Sequence, residues 1–148
     1  MNVETTRFGV VDVDENRIIT FPTGLLGFSS FTRYALLQPD EDAAFFWLQC
    51  IDAPELAFVV TDPSLWVRDY QVPIRREQMD ELGLDKLENA QVFVILNKHD
   101  RTLTGNLQGP LVINIVSRNA MQLVLADKRW TTRHEIVQLS EPAKVVSA

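Results

Sequence analysis

A chain of 148 residues with 46% hydrophobic and 23% charged side chains has ordinary globular proportions and room for one domain with a real core. Its net charge of −6 disfavours direct nucleic-acid binding, which needs a Lys/Arg excess to displace counterions, and favours a basic partner. A single cysteine, Cys50, excludes an internal disulfide; no run approaches a membrane span; and the amino-terminal residues do not resemble a signal peptide, so a cytoplasmic location is expected.

In chain order, short strands alternate with turn chemistry. Residues 7–13 and 17–21 flank Asp14-Glu15-Asn16, a predicted hairpin turn. Residues 34–38, 45–51 and 57–61 are rich in aromatic and β-branched side chains and are punctuated by Pro39-Asp40, Ala53-Pro54 and Asp62-Pro63. Residues 66–72 set Trp66, Arg68 and Tyr70 against Val67, Asp69 and Gln71, the alternation of a half-buried strand. Pro73 precedes a predicted helix over 74–82, with Met79 and Leu82 on one face and Gly83 as its left-handed stop. At about two turns, this helix depends on tertiary packing. A second turn is predicted at 85–89. Residues 91–98, with Val92 to Leu96 uninterrupted by polar groups, read as a strand buried on both faces. Residues 111–116 and 122–126 are two further strands, joined by the hairpin-length linker Ser117-Arg118-Asn119-Ala120. Residues 140–148, with Pro142 and small side chains, are expected to be a flexible tail behind a domain spanning 1–139.

About nine short strands and one or two short helices predict a mainly β fold, a small antiparallel β-barrel-like single domain, open or closed, because curling a sheet reduces exposed edges.

Catalytic chemistry is poorly supplied. His99 and Asp100 are adjacent in sequence, as are His134 and Glu135, and neighbours on a strand point to opposite faces, so neither pair makes a dyad. No His-x-His, His-x-x-x-His or Cys-x-x-Cys pattern is present to seat a metal, and phosphate-loop, dinucleotide and nucleophile-elbow motifs are lacking. Cys50 lies in an apolar run and is expected to be buried and inert. No cofactor, metal or catalytic residue is expected. The alternative is a small-molecule- or flavin-binding split β barrel, suggested by Trp47, Trp66, Trp130 and the two histidines.

Two features point to binding instead. Phe21-Pro22-Thr23-Gly24-Leu25-Leu26-Gly27-Phe28 places two glycines three apart behind a proline, which specifies an unusual backbone path lined by apolar side chains. It reads either as a turn plugging a barrel end or as an apolar loop facing a partner. Glu77, Asp80 and Glu81 form an acidic helix face opposite Met79 and Leu82, and Asp40-Glu41-Asp42 adds an acidic loop.

The chain resembles the flagellar assembly factor FliW family. The resemblance rests on Ile19 through Phe28, on Leu48-Gln49 with Phe58-Val59-Val60-Thr61-Asp62-Pro63, on Asn106-Leu107-Gln108-Gly109-Pro110-Leu111-Val112-Ile113-Asn114, on Gln122-Leu123-Val124-Leu125, and on Arg133-His134, in that order. It implies a β-barrel-like fold without enzymatic activity. It also implies two protein partners, flagellin and the RNA-binding translational repressor CsrA, the second engaged when flagellin is exported. The free protein is expected to be a monomer. Candidate apolar contacts are Phe21, Leu25, Leu26, Phe28, Trp66 and Tyr70; candidate contacts to the basic partner are Glu77, Asp80 and Glu81.

Overall fold

Thr5 closes the first hairpin. β1 (Asn2–Thr5) pairs antiparallel with β2 (Gly9–Asp12), with Asn2 opposite Asp12 and Thr5 opposite Gly9. The Thr5 hydroxyl accepts the Phe8 N–H at 2.7 Å and donates to the Gly9 carbonyl at 2.8 Å. Alternation turns Val3 inward, where it joins Val13, Ala35 and Leu37 in a small apolar cluster. The computed structural model describes residues 1–40 and 44–139; Glu41, Asp42 and the expected tail at 140–148 lie outside the described residues.

The hairpin expected around Asp14-Glu15-Asn16 is not made. The Asp14 carboxylate accepts the Asn16 N–H at 2.9 Å and starts a 3-10 turn, Glu15–Arg17. This side-chain cap carries the chain away from β2 instead of reversing it. β3 (Ile18–Thr20) therefore pairs with β4 (Arg33–Leu37), while β2 takes β1 as its partner.

From β4 the sheet grows through antiparallel neighbours, β5 (Phe45–Cys50), β6 (Ala57–Thr61) and β7 (Ala90–His99). β7 is 10 residues long and serves two partners along one edge. Its last residues pair with β8 (Thr102–Gly105), which pairs with β11 (His134–Gln138), and its first residues pair with β9 (Leu111–Asn114). β10 (Ala120–Gln122) lies beyond β9, so the path runs β10-β9-β7-β6-β5-β4-β3. Its two ends meet through one parallel bridge among the described residues, between Thr20 and Asn119, where the Thr20 N–H bonds the Arg118 carbonyl at 3.0 Å. The fold is thus mainly β, antiparallel and barrel-like, and open along a seam.

Alternation along the central strands divides the interior. Phe93 and Ile95 of β7 face a cluster containing Phe21, Tyr34, Leu48 and Leu111, whereas Val94 and Leu96 face one containing Leu82, Leu107, Val112 and Trp130. The centre of β7 is therefore covered on both faces, as its unbroken apolar run predicts.

Residues 66–72 form no strand. Asp62 accepts the Ser64 N–H at 2.9 Å, Pro63 presets φ, and the 3-10 turn Pro63–Leu65 follows. The Val67 N–H then bonds the Pro63 carbonyl at 2.9 Å, so this segment crosses the second cluster as turn and coil, with Val67 buried. The helix α1 (Arg76–Leu82) falls within its predicted span. The Gln78 side chain reaches back to accept the Arg75 N–H at 2.8 Å, and Gly83 ends the helix at φ +67°. Leu82 and Leu84 anchor it on the second cluster, and a 3-10 turn, Leu87–Asn89, follows as expected.

Asn114 fastens α1 to the sheet. Buried at the end of β9, its amide donates to the Leu82 carbonyl at 2.9 Å and the Gly83 carbonyl at 3.2 Å, while its Oδ1 accepts the Val116 N–H at 2.9 Å. That last bond turns the chain, so β9 stops short of the predicted Val116. β10 likewise begins at Ala120 and ends at Gln122. Leu123 and Leu125 still donate to the Pro110 and Gln108 carbonyls at 2.9 and 2.8 Å, but Pro110 has no N–H to return, and the ladder lapses. β1, β8 and β11 are strands that the sequence pattern did not reveal.

Candidate functional site

The loop after β3 is built around Gly24. Its N–H donates to the Phe21 carbonyl at 2.8 Å, and it adopts φ +68°. A Cβ at this position would lie 2.6 Å from the Phe28 carbonyl oxygen and from the Ser29 Cα. Only glycine fits. The tight path sends consecutive leucines in opposite directions: Leu25 is 2% exposed in the first cluster, and Leu26 is 65% exposed at the surface.

Leu26 sits across the open seam from β10. Its N–H donates to Gln122 Oε1 at 2.9 Å, joining residues 96 apart in sequence, and Gln122 Nε2 donates to the Gly109 carbonyl at 3.0 Å. The Gly109 N–H in turn donates to Asn106 Oδ1 at 2.9 Å. This chain of bonds walls a cleft of about 400 Å³. Leu25, Leu26, Phe58 and Ile95 supply its apolar surface; Asn97, His99, Asn106, Gln122, Thr132 and Arg133 supply its polar surface. No carboxylate among the described residues lines it, and of these residues Arg133 brings the formal positive charge.

The expected contact residues separate into three places. Phe21 is 0% exposed and belongs to the core, where it supports the loop; Leu25, 2% exposed, packs with it and also borders the cleft. Both are expected from the sequence as surface contacts; the Gly24 turn instead leaves them almost no exposed surface. Phe28 is half-buried, edge-on to Phe58 with ring centroids 5.3 Å apart, and Leu26 alone of the four stands clear of the surface. Trp66 is 36% exposed, stacked on Phe45 at 5.8 Å, with its indole N–H donating to Thr61 Oγ1 at 3.0 Å. Tyr70 donates its hydroxyl to the Leu107 carbonyl at 2.6 Å and stands edge-on to Trp130 at 5.0 Å. Burial raises the Tyr70 phenol above its ordinary range. Trp66 and Tyr70 thus lie over the second cluster, away from the cleft. Glu77, Asp80 and Glu81 are exposed on α1, with Glu77 3.4 Å from Arg75 Nε.

The polar lining of the cleft was not singled out from the sequence. Asn106, Gln122 and Arg133 stood inside the motif segments quoted above, and the segments themselves were the signal. What a linear reading lacks is their convergence, together with Leu25, Leu26 and Phe58, on one concavity.

Cys50 is buried, and burial pushes its thiol up, which disfavours the reactive thiolate. Burial, then the neighbouring Cys50, pushes the Tyr34 phenol up to about 12. No group of three His, Cys, Asp or Glu residues among the described residues could hold a metal ion. No helix among them is long and apolar enough to cross a membrane.

Comparison with known proteins identifies the family. A family model described as FliW protein matches residues 2–136. The flagellar assembly factor FliW of Geobacter sulfurreducens is 40% identical over 136 residues, covering 90% of this chain and 85% of that protein. Its counterpart in Natranaerobius thermophilus is 35% identical over 139 residues, covering 92% of each. A crystal structure of the flagellar assembly factor FliW superposes with a TM-score of 0.83 at 28% identity, over 91% of this chain and 96% of that one. With the family model spanning nearly all of the chain and relatives of this similarity over nearly their whole length, the protein belongs to the FliW family of flagellar assembly factors.

Proposed function

We propose that this FliW-family protein is a cytoplasmic regulator that works by binding proteins: it sequesters flagellin and, once freed by flagellin export, binds the translational repressor CsrA and relieves its repression. The observation that carries this reading is the gathering of the motif segments, from Leu25 to Arg133, around one cleft in a family of flagellar assembly factors. The cleft pairs an exposed leucine with unsaturated polar donors, a surface suited to an extended segment of an unassembled subunit. The exposed acidic face of α1 suits the basic surface that an RNA-binding repressor must carry.

Co-purification at micromolar concentration tests the proposal. Complexes with flagellin and with CsrA are expected, and a failure to form either defeats it. The two surfaces should separate by mutation. Leu26→Asp is expected to weaken flagellin binding by at least about tenfold with CsrA binding retained. Changing Glu77, Asp80 and Glu81 together to their amides is expected to do the reverse and to flatten the salt dependence of CsrA association. Calorimetry at two ionic strengths reads both. The tryptophans that suggested a flavin site are occupied with packing: Trp47 against Phe8, Trp66 on Phe45 and Trp130 on Tyr70.

A further inference from the structure

The composition of the cleft specifies more than a generic protein contact. Arg133 is exposed, lines the cleft and makes no ion pair or hydrogen bond among the described residues. Asn106 has its Oδ1 committed to the Gly109 N–H, and its NH2 has no acceptor among the described residues. Gln122 accepts from Leu26 and donates to Gly109, and so acts as wall. Asn97, His99 and Thr132 complete the polar lining, so the cleft offers an exposed guanidinium and an amide NH2 beside an apolar surface of Leu26, Phe58 and Ile95.

We infer that the cleft is a receptor for a peptide's free α-carboxylate whose own residue carries an apolar side chain. The inference rests on the protein-binding role proposed above and adds the chemistry of what is bound. A guanidinium and an amide NH2 suit the two oxygens of a carboxylate. The apolar wall discriminates among anions. An inorganic phosphate or a nucleic-acid backbone leaves Leu26 and Phe58 in contact with nothing apolar, and the surrounding charge of −6 repels a polyanion. An internal Asp or Glu places its carboxylate at the tip of its only side chain, which is then unavailable to the wall. A terminal apolar residue presents both groups from one Cα.

The test titrates the whole protein, with backbone amides observed by NMR, against N-acetyl-leucine, N-acetyl-leucinamide and inorganic phosphate. N-acetyl-leucine is expected to shift the amides of Leu26, Asn106 and Gln122 saturably. The amide analogue should bind at least about tenfold more weakly, the loss of a charge-assisted pair. Arg133→Gln should lose the discrimination between acid and amide, and Arg133→Lys should recover part of it. Because Arg133 is exposed, neither change threatens the fold. Equal binding of acid and amide, an unchanged Arg133→Gln variant, or phosphate shifting the same amides as strongly as N-acetyl-leucine overturns the inference. The functional proposal fails separately. If wild-type protein forms no flagellin complex while N-acetyl-leucine still binds, that role is wrong and the carboxylate site stands. If flagellin is captured equally by wild type and Arg133→Gln, the site is wrong and the role stands.

Discussion

Gly24 shows how much can depend on a missing Cβ. The 2.6 Å approach is to backbone atoms, which cannot swing aside as the end of a side chain can, and the left-handed φ adds strain of its own. Gly24→Ala is expected to lower stability by more than about 2 kcal/mol, read from the urea midpoint, and to disturb the Leu26 amide in NMR spectra. Tyr34 makes the opposite case. Its hydroxyl is buried with no hydrogen-bond partner among the described residues, so the ring contributes packing against Phe21 while the oxygen contributes a desolvation penalty. Tyr34→Phe is expected to be neutral or to stabilise by about 1 kcal/mol in the same assay. Gln49 is another buried polar group with a clear task. Its Nε2 reaches the Pro54 and Leu56 carbonyls at 3.0 and 3.2 Å and so holds the turn between β5 and β6 in shape.

At the scale of elements, α1 is a seven-residue helix that could not persist alone. Leu82 and Leu84 supply its apolar anchorage, and Asn114 supplies its polar one. Asn114→Ala would leave the buried Leu82 carbonyl unsatisfied and release the turn after β9, at a cost of about 2–3 kcal/mol in thermal unfolding. Asn114→Asp keeps the acceptor that holds the turn but loses the donors to α1, so it should impair the helix selectively, visible as faster hydrogen exchange in α1. The sequence disclosed this helix well because its signals are local: the spacing of Met79 and Leu82, and Gly83 as the stop. The apolar runs of β4 to β7 were legible for the same reason. β8 and β11 were not, because Thr102–Gly105 carries a single large apolar side chain, Leu103, and although β8 folds straight back on β7, β11 finds β8 only through pairing distant in sequence. The strand predicted at 66–72 had the right alternation, yet the Asp62-Pro63 cap overrode it. The candidate site was half legible: its segments could be named, but Leu26 and Gln122 meet only through tertiary structure.

At the scale of the whole molecule, charge and buried phenols set the response to pH. The Tyr34 phenol stands at about 12 in the folded state, and Tyr70 is also raised, whereas in the unfolded chain both titrate near 10. Unfolding therefore releases protons above pH 10. The stability associated with keeping these groups neutral is complete below that value and is lost as pH climbs from about 10 toward 12, by about 2–3 kcal/mol for Tyr34. Urea midpoints at pH 9, 10.5 and 12 check this, and Tyr34→Phe should shrink the fall. The proposed CsrA complex, if carried by the exposed acids of α1, should weaken as salt rises.

The seam between β3 and β10 has a consequence for breathing. Val94 is fully buried inside β7 and paired with Thr61 of β6, but the Thr20 amide is clasped by a single carbonyl, that of Arg118. Unclasping it costs on the order of 1 kcal/mol, far less than global unfolding. Deuterium should therefore enter at Thr20 orders of magnitude sooner than at Val94. The Leu26–Gln122 bond spans the same gap, so an occupant seated beside Leu26 would act as a stitch, and slowed exchange at Thr20 would report occupancy from a residue the occupant never touches.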